Sequence, residues 1–134
     1  NMMQYWYVVD EEGSWKLHAK EQKKHNGMTI GILPFSKDEA NKYIDVALPT
    51  HLGHWRNFLV VSSADAVIGI HGRWGTLNEL SAAIILGKPT IVIQGTGGCA
   101  DLLSEETLAE KFEVTPHVVT SAKEAVEKAL TLCV

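Results

Sequence analysis

The feature that most constrains the fold is the apolar run Ala66-Val67-Ile68-Gly69-Ile70, which leads into a glycine-containing turn and then a helical pattern. Gly72 and Gly75 in this turn permit backbone conformations and a close ligand approach that other residues resist. The first amides of the following helix have no partners within that helix, so the turn can hold an anion. Thr76 and Glu79 also fit a capping box. Phosphate binding and helix capping therefore stand as alternatives for this stretch.

The composition of the 134-residue chain indicates one globular domain covering residues 1–134. Its 46% hydrophobic and 21% charged content supplies a sizeable core and argues against disorder. Since the sequence shows neither a long apolar run nor a signal-peptide pattern, we expect a cytoplasmic protein without a membrane partner. The formal net charge of -4 predicts no nucleic-acid partner.

Cysteines and histidines give little sign of a metal site. Cys99 and Cys133 lack the spacing of metal ligands, which favours buried or incidental thiols. His51 and His54 would share a helix face, but no nearby thiol or carboxylate completes a zinc set. We therefore expect no metal ligands.

Apolar strands alternate with helical segments along the chain. Strands are predicted at residues 4–9, 28–33, 43–48, 66–70, 90–93 and 117–119. Helices are predicted at residues 15–25, 53–62 and 77–86, from Gly98 through Lys111, and after a capping box of Ser121 and Glu124. This order predicts an α/β fold, a Rossmann-like parallel sheet with helices on both faces. Ligands bind such sheets beyond the carboxyl ends of the strands, where the loops after Leu33, Ile70 and Ile93 converge.

The stretch from Gly72 to Glu79 resembles the PGGxGTxxE motif of the Lonely Guy (LOG) proteins and their wider SLOG superfamily. Four other segments match the family in order and spacing, at residues 27–34, 52–57, 63–68 and 86–89. Five matching segments are far more specific than a lone glycine motif. The resemblance covers residues 13–103 and is closest to the branch that includes molybdenum-cofactor carrier-like proteins.

The resemblance implies catalytic roles for Arg56 and Glu79. In LOG proteins that hydrolyse nucleoside 5′-monophosphates, an arginine and a glutamate act at the ribose and the glycosidic bond. A carboxylate can stabilise the positive charge that the departing base leaves on the ribose, and arginine can grip a phosphate with two donors. The alternatives are the capping box for Glu79 and a surface ion pair for Arg56.

Two glycine-rich turns are candidates for phosphate or nucleotide binding. Their residues are Gly72, Arg73, Gly75 and Thr76 in the motif and Gly95, Thr96 and Gly97 after the next strand. The second turn can equally be an ordinary strand-to-helix connection. Arg73 replaces a glycine of the motif, so it blocks the pocket, supplies a charge or faces solvent. Trp74 either stacks on a base or covers its helix.

The N-terminal region departs from the family pattern. The acidic residues Asp10, Glu11 and Glu12 lie where the family has glycines, and like charge disfavours a phosphate there. The family's first strand and helix are expected to be missing. A sheet without them would expose an edge and an apolar face, so we expect a homodimer or a higher homo-oligomer.

These features predict a protein that binds a nucleotide or another phosphate ligand at a LOG-like site and could hydrolyse the N-glycosidic bond of nucleoside 5′-monophosphates. The alternative is a non-catalytic carrier or sensor of a molybdopterin-type cofactor. The lost glycines favour binding without turnover, whereas Arg56 and Glu79 favour chemistry.

Overall fold

A computed structural model describes residues 6–9, 20, 23 and 27–133. Within these residues the strands are β1 (Trp6–Val9), β2 (Ile30–Leu33), β3 (Val46–Pro49), β4 (Ala66–Gly69), β5 (Thr90–Ile93) and β6 (His117–Val119). From residue 27 onward the α-helices are α1 (Arg56–Ser62), α2 (Trp74–Ile85), α3 (Gly98–Leu102), α4 (Glu106–Ala109) and α5 (Ala122–Leu132). Short 3-10 turns lie at Lys37–Glu39 and Gly53–Trp55.

All described strand pairs are parallel. β1, β4, β5 and β6 form one sheet in that order, and β2 pairs with β3 in a second sheet. Every residue of β4 and β5 is buried, as expected for parallel strands that are covered on both faces. The predicted Rossmann-like α/β fold is therefore confirmed.

Two apolar clusters cover the two faces of the four-stranded sheet. On one face, Val67 and Val92 pack with residues of α1, α2 and α3, among them the fully buried Leu80. On the other face, Ile68 and Ile91 pack against α5. The alternation of neighbouring strand residues between clusters follows from the two-residue period of a strand. The helices are thereby held on both sides of the sheet.

The start of α2 differs from the prediction. The helix begins at Trp74 and Arg73 is its N-cap, whereas the sequence pattern placed the start at Leu77. Thr76 and Glu79 therefore lie inside the helix, and the capping-box interpretation of these two residues is wrong. A true capping arrangement opens α5, where the amide of Glu124 donates to the Ser121 hydroxyl at 3.2 Å.

Two other segments differ in detail. The helix predicted after Gly98 is divided into α3 and α4, with a break at residues 103–105. The extended segment predicted at 43–48 is shifted, because β3 begins at Val46 and includes Pro49. The helix predicted at 15–25 lies outside the described residues except at Lys20 and Lys23, which are helical.

The N-terminal strand belongs to the four-stranded sheet and is the outermost strand in its order. Trp6 to Val9 pairs in register with Ala66 to Gly69 of the central β4. The expected loss of a first strand and helix is not confirmed. Among the described residues, no helix is both long and apolar enough to span a bilayer.

Candidate functional site

The carboxyl edge of the sheets carries the turns in which the candidate residues lie. A helix that connects parallel strands starts at this edge and runs back across the sheet, so α1 and α2 both begin here. The start of α1 is tied to the end of β2, because the hydroxyl of Thr50 donates to the Leu33 carbonyl at 2.8 Å and the amide of Gly53 donates to Pro34 at 3.0 Å.

The turns after β4 and β5 are joined by hydrogen bonds. The amide of Cys99 donates to the Gly72 carbonyl, and the amide of Ala100 donates to the His71 carbonyl, both at 2.9 Å. In the opposite direction, the His71 amide donates to the Thr96 hydroxyl at 2.9 Å. The Thr96 hydroxyl donates in turn to the Ile93 carbonyl at 2.7 Å. The two turns therefore form one hydrogen-bonded unit.

Glycine is required where these two turns touch. A Cβ on Gly98 would lie 2.2 Å from the Gly72 carbonyl oxygen, which is backbone and cannot move aside. A Cβ on Gly72 would lie 2.5 Å from the Thr76 side chain, and Gly72 has a φ of 92°. Both positions therefore exclude other residues for steric reasons.

The first turn of α2 is exposed to solvent at Gly75. A Cβ on Gly75 would have no heavy atom of the described residues within 4 Å. Arg73 and Trp74 are exposed on either side of the helix start, whereas Thr76 is buried. The Leu77 amide closes the first helical turn by donating to the Arg73 carbonyl at 2.9 Å. A ligand can thus approach the backbone near Gly75 without displacing a side chain.

Arg56 is the first residue of α1 and is partly buried. Its guanidinium donates to the Ile32 carbonyl at 2.7 Å, which fixes the side chain at the end of β2. The side chain of Arg56 is therefore bound to a backbone carbonyl, in contrast to the alternative prediction of a surface ion pair. Since one guanidinium carries five donors, others are available to bind a second acceptor at this edge.

The helices α1 and α2 meet at a polar pair near this edge. The side-chain amide of the buried Asn57 donates to the Asn78 side chain at 3.0 Å. The next residue, Glu79, is only 7% exposed. Burial raises the pKa of the Cys99 thiol, and the negative charge of Glu79 raises it further. Glu79 therefore lies inside the fold, where it is a buried acid rather than a surface carboxylate.

The described residues contain no cluster of three His, Cys, Asp or Glu side chains that could hold a metal ion. A separate cavity of about 260 Å³ lies at the opposite, amino-terminal edge of the sheet, next to Lys88 and His117. It is not the predicted site.

The family model for the SLOG cluster4 family matches residues 10–129, almost the whole chain. The chain belongs to the SLOG cluster4 family. The predicted SLOG relationship is therefore confirmed. A protein of Archaeoglobus fulgidus without an assigned function is 37% identical over 89 residues, which cover 62% of this chain. The match spans 59% of the length of that relative.

Solved structures share the fold of this SLOG domain. A molybdenum cofactor binding protein of Rippkaea orientalis is 26% identical, with a TM-score of 0.78, and the alignment covers 100% of both chains. The molybdenum cofactor carrier protein of Chlamydomonas reinhardtii is 21% identical, with a TM-score of 0.73, and the alignment covers 94% of this chain and 78% of that one. The second likeness shows the fold alone.

Most of the predicted site residues of this SLOG domain lie at the carboxyl edge of the sheet, where their contacts differ. The motif residues Gly72, Arg73, Gly75 and Thr76 form the start of α2. The residues Gly95, Thr96 and Gly97 hold the neighbouring turn together: the Gly95 amide donates to Asp101 at 2.7 Å, Thr96 bonds to His71, and Gly97 packs near the His71 ring. Asp10, Glu11 and Glu12 lie outside the described residues.

The turn differs from the family motif at its first position. His71 replaces the proline of the motif and has a φ of 52°. A proline ring holds φ at about −65°, so proline cannot adopt this conformation. The turn of this SLOG domain therefore has its own backbone path before Gly72.

Trp55, directly before α1, was not among the residues predicted for the site. Its side chain is 86% exposed and that of Trp74 is 84% exposed, so the interpretation of Trp74 as a cover for its helix is wrong. The chain has only two arginines, Arg56 and Arg73, and each is adjacent in sequence to one of these tryptophans. The adjacency of each arginine to a tryptophan is the sequence signal that could have identified the pair.

Proposed function

We propose that this SLOG domain binds a phosphate-bearing ligand of the nucleotide or molybdopterin type at the start of α2, and carries it without chemical change. The observation that carries the proposal is the open first turn of α2, where Gly75 leaves the backbone accessible beside Arg73. A helix N-terminus favours an anion because its first amides point outward and its dipole is positive there.

The residues divide into a binding group and a supporting group. In the proposal, Gly72, Arg73, Gly75 and Thr76 surround the phosphate, and Arg56 supplies a second guanidinium from α1. The turn of Gly95, Thr96 and Gly97 acts indirectly, because its hydrogen bonds hold His71 in place.

The Rippkaea structure supports the cofactor type of this ligand. That protein binds the molybdenum cofactor, and its alignment with this chain is complete on both sides. The molybdenum cofactor carries a phosphate group on its metal-bearing pterin part, and the exposed helix start beside Arg73, with Arg56 on α1, fits the phosphate end of such a molecule. A nucleoside monophosphate presents the same combination of phosphate and planar ring.

Calorimetric titration with AMP and with neopterin monophosphate tests the binding proposal. We expect saturable binding of at least one, and a loss of about tenfold in affinity in Arg73→Ala, since a charge-assisted hydrogen bond is worth about 1.5–3 kcal/mol. Lys123→Ala is the matched control, because it removes one positive charge from the exposed face of α5. The proposal would be contradicted if neither AMP nor neopterin monophosphate binds.

Hydrolysis of nucleoside 5′-monophosphates is the second candidate function, because Arg56 and Glu79 are retained on α1 and α2, two helices that are joined by the hydrogen bond between Asn57 and Asn78. Release of adenine from AMP by the wild type, lost in Glu79→Gln with AMP binding intact, would support hydrolysis. The burial of Glu79 favours binding as the first candidate.

We also propose that the protein is a homodimer or a higher homo-oligomer. Large apolar side chains are exposed on β3 and α1, namely Val46, Leu48, Phe58 and Leu59, which are 40–52% exposed. An exposed apolar surface of this kind is typical of a contact between proteins. Light scattering tests it, and a monomer at micromolar concentration would contradict it.

A further inference from the structure

The strand β6 forms one edge of the four-stranded sheet. In the described part of the chain it is the outermost strand on that side and pairs with β5 alone. The amide of Gln94 donates to the Val119 carbonyl at 2.8 Å, so the polar groups of Val119 face β5. Since the polar groups of successive strand residues point to opposite sides, the amide and carbonyl of Val118 point away from β5. This edge therefore presents backbone groups that can pair with a further strand.

A groove of about 330 Å³ lies beside this edge. Its lining includes Val118, which is 44% exposed, and the exposed acids Glu105 and Glu106 at the start of α4. Val118 pairs in register with Val92, which packs on the face covered by α1, α2 and α3, so the Val118 side chain points to that face. Because a water molecule occupies about 30 Å³, the groove has room for a side chain of a partner.

The segment beside the groove is acidic. Residues 101–113 contain five acidic residues and one lysine, which equals the formal net charge of -4 of the whole chain. Four of these acids are exposed, namely Glu105, Glu106, Glu110 and Glu113. Like charge disfavours a phosphate-bearing ligand here, and pairing of this edge between two copies would bring the same acids together from both sides. Lysine and arginine side chains complement such a surface.

We propose that β6 binds an extended, basic segment of another protein, which adds a strand to this edge. The backbone of the segment pairs with Val118, and one of its apolar side chains lies in the groove. Lysine or arginine two residues away lies on the same face of the added strand and reaches Glu105 or Glu106. The surface includes none of the residues proposed to bind phosphate, so this proposal is independent of the proposed function.

A short peptide tests the proposal. The labelled peptide acetyl-Thr-Lys-Thr-Val-Thr-Lys-Thr-amide places its valine and both lysines on one face of an extended strand. By fluorescence anisotropy we expect saturable binding to the wild type that weakens as the salt concentration rises. The same peptide with glutamate in place of both lysines should not bind, because its charges would repel the acidic segment.

Two variants change the apolar and the acidic parts of the surface separately. Val118→Lys places a cation at the groove and should weaken binding of the basic peptide by at least tenfold. Glu105→Gln/Glu106→Gln should weaken it by about fivefold, since exposed ion pairs contribute little each. Asp38→Asn/Glu127→Gln is the matched control, because it removes two exposed negative charges elsewhere and should leave the affinity unchanged. The glutamine variant keeps the test valid if Val118→Lys does not fold.

Amide hydrogen exchange distinguishes strand addition from attraction of charges alone. Exchange of the Val118 amide should slow when the basic peptide binds, because that amide becomes hydrogen-bonded. Unchanged exchange at Val118, equal binding of the glutamate peptide or no binding of the basic peptide would each overturn the proposal. A smaller mass of Val118→Lys than of the wild type by light scattering would also overturn it, since the edge would then belong to a contact between copies.

Discussion

The turns after β4 and β5 are both rich in glycine, yet they differ in how their polar groups are used. After β5, the amides of Cys99 and Ala100 donate to the carbonyls of the other turn, and the Thr96 hydroxyl both accepts from His71 and donates to Ile93. After β4, Gly75 in the first turn of α2 is exposed, and a Cβ added there would meet no described heavy atom within 4 Å, as is also true of Gly95 in the other turn. Two turns of similar glycine content therefore have different roles. The turn after β5 holds the neighbouring turn in place, and the turn after β4 is the proposed binding site.

The difference has a physical origin in the lengths of the two helices. α3 has five residues and α2 has twelve. The aligned peptide dipoles of a helix place a partial positive charge at its N-terminus, and more peptides are aligned in the longer helix. We therefore expect the start of α2 to bind an anion better than the start of α3 does. The amides at the start of the short α3 instead complete hydrogen bonds within the fold, as buried backbone groups require.

The largest expected effect comes from disturbing the contact between the turns. Gly98→Ala should lower the free energy of unfolding by about 3 kcal/mol, because its Cβ would lie 2.2 Å from the Gly72 oxygen and Gly98 has a φ of 59°. Denaturant unfolding measures the change. Gly95→Ala is the matched control: its φ is 85° but no described heavy atom lies within 4 Å of the added Cβ, so we expect only about 1 kcal/mol. Equal losses in the two variants would show that the contact is unimportant.

A smaller effect, on binding alone, is expected at Gly75. Gly75→Ala adds a methyl group in open space and a better helix former, so stability should rise by about 0.5–1 kcal/mol. Affinity for a phosphate ligand should fall by about tenfold, since the methyl group obstructs approach to the helix start. Thermal unfolding and calorimetry on the same preparation separate the two effects. Unchanged affinity for AMP and neopterin monophosphate would remove the first turn of α2 from the proposed site.

The smallest effect is expected away from both turns, at Asp45. Its carboxylate accepts hydrogen bonds from Lys23 and from the amide of Thr29, which together lower its pKa from 3.8 to about 2. A carboxyl group with a lowered folded pKa contributes stability above its unfolded pKa, and this contribution is lost as the pH falls from about 4 to about 2. Thermal unfolding between about pH 5 and pH 3 should therefore depend less on pH in Asp45→Asn than in the wild type.

Lys23→Met provides the companion variant for this pH test. It leaves the carboxyl group but removes the first cause of its lowered pKa, so the pH dependence should again be weaker. Neither variant should alter ligand binding, because both residues lie outside the two turns. If the thermal stability of Lys23→Met depended on pH as strongly as that of the wild type, the hydrogen bond from Lys23 would not be the main cause of the lowered Asp45 pKa.

Most of the fold could be predicted from local pattern. The apolar runs that became β4 and β5 are buried along their whole length, and Ser121 caps α5 as its sequence pattern indicated. These features depend on residues close in sequence or on the burial of a whole segment, so periodicity and capping rules are sufficient. The helix start at Trp74 was missed because Thr76 and Glu79 satisfy the same capping pattern three residues later.

The sequence by itself determined the SLOG relationship, the parallel α/β fold and the edge at which the candidate residues lie. Only the tertiary structure decided what each residue does there. The hydrogen bond from the His71 amide to the Thr96 hydroxyl, 25 residues away in sequence, gives Thr96 a supporting role. Packing buries Glu79 and leaves Trp55 and Trp74 exposed. The physical reason is that exposure and hydrogen-bond partners depend on segments distant in sequence, which motif spacing does not encode.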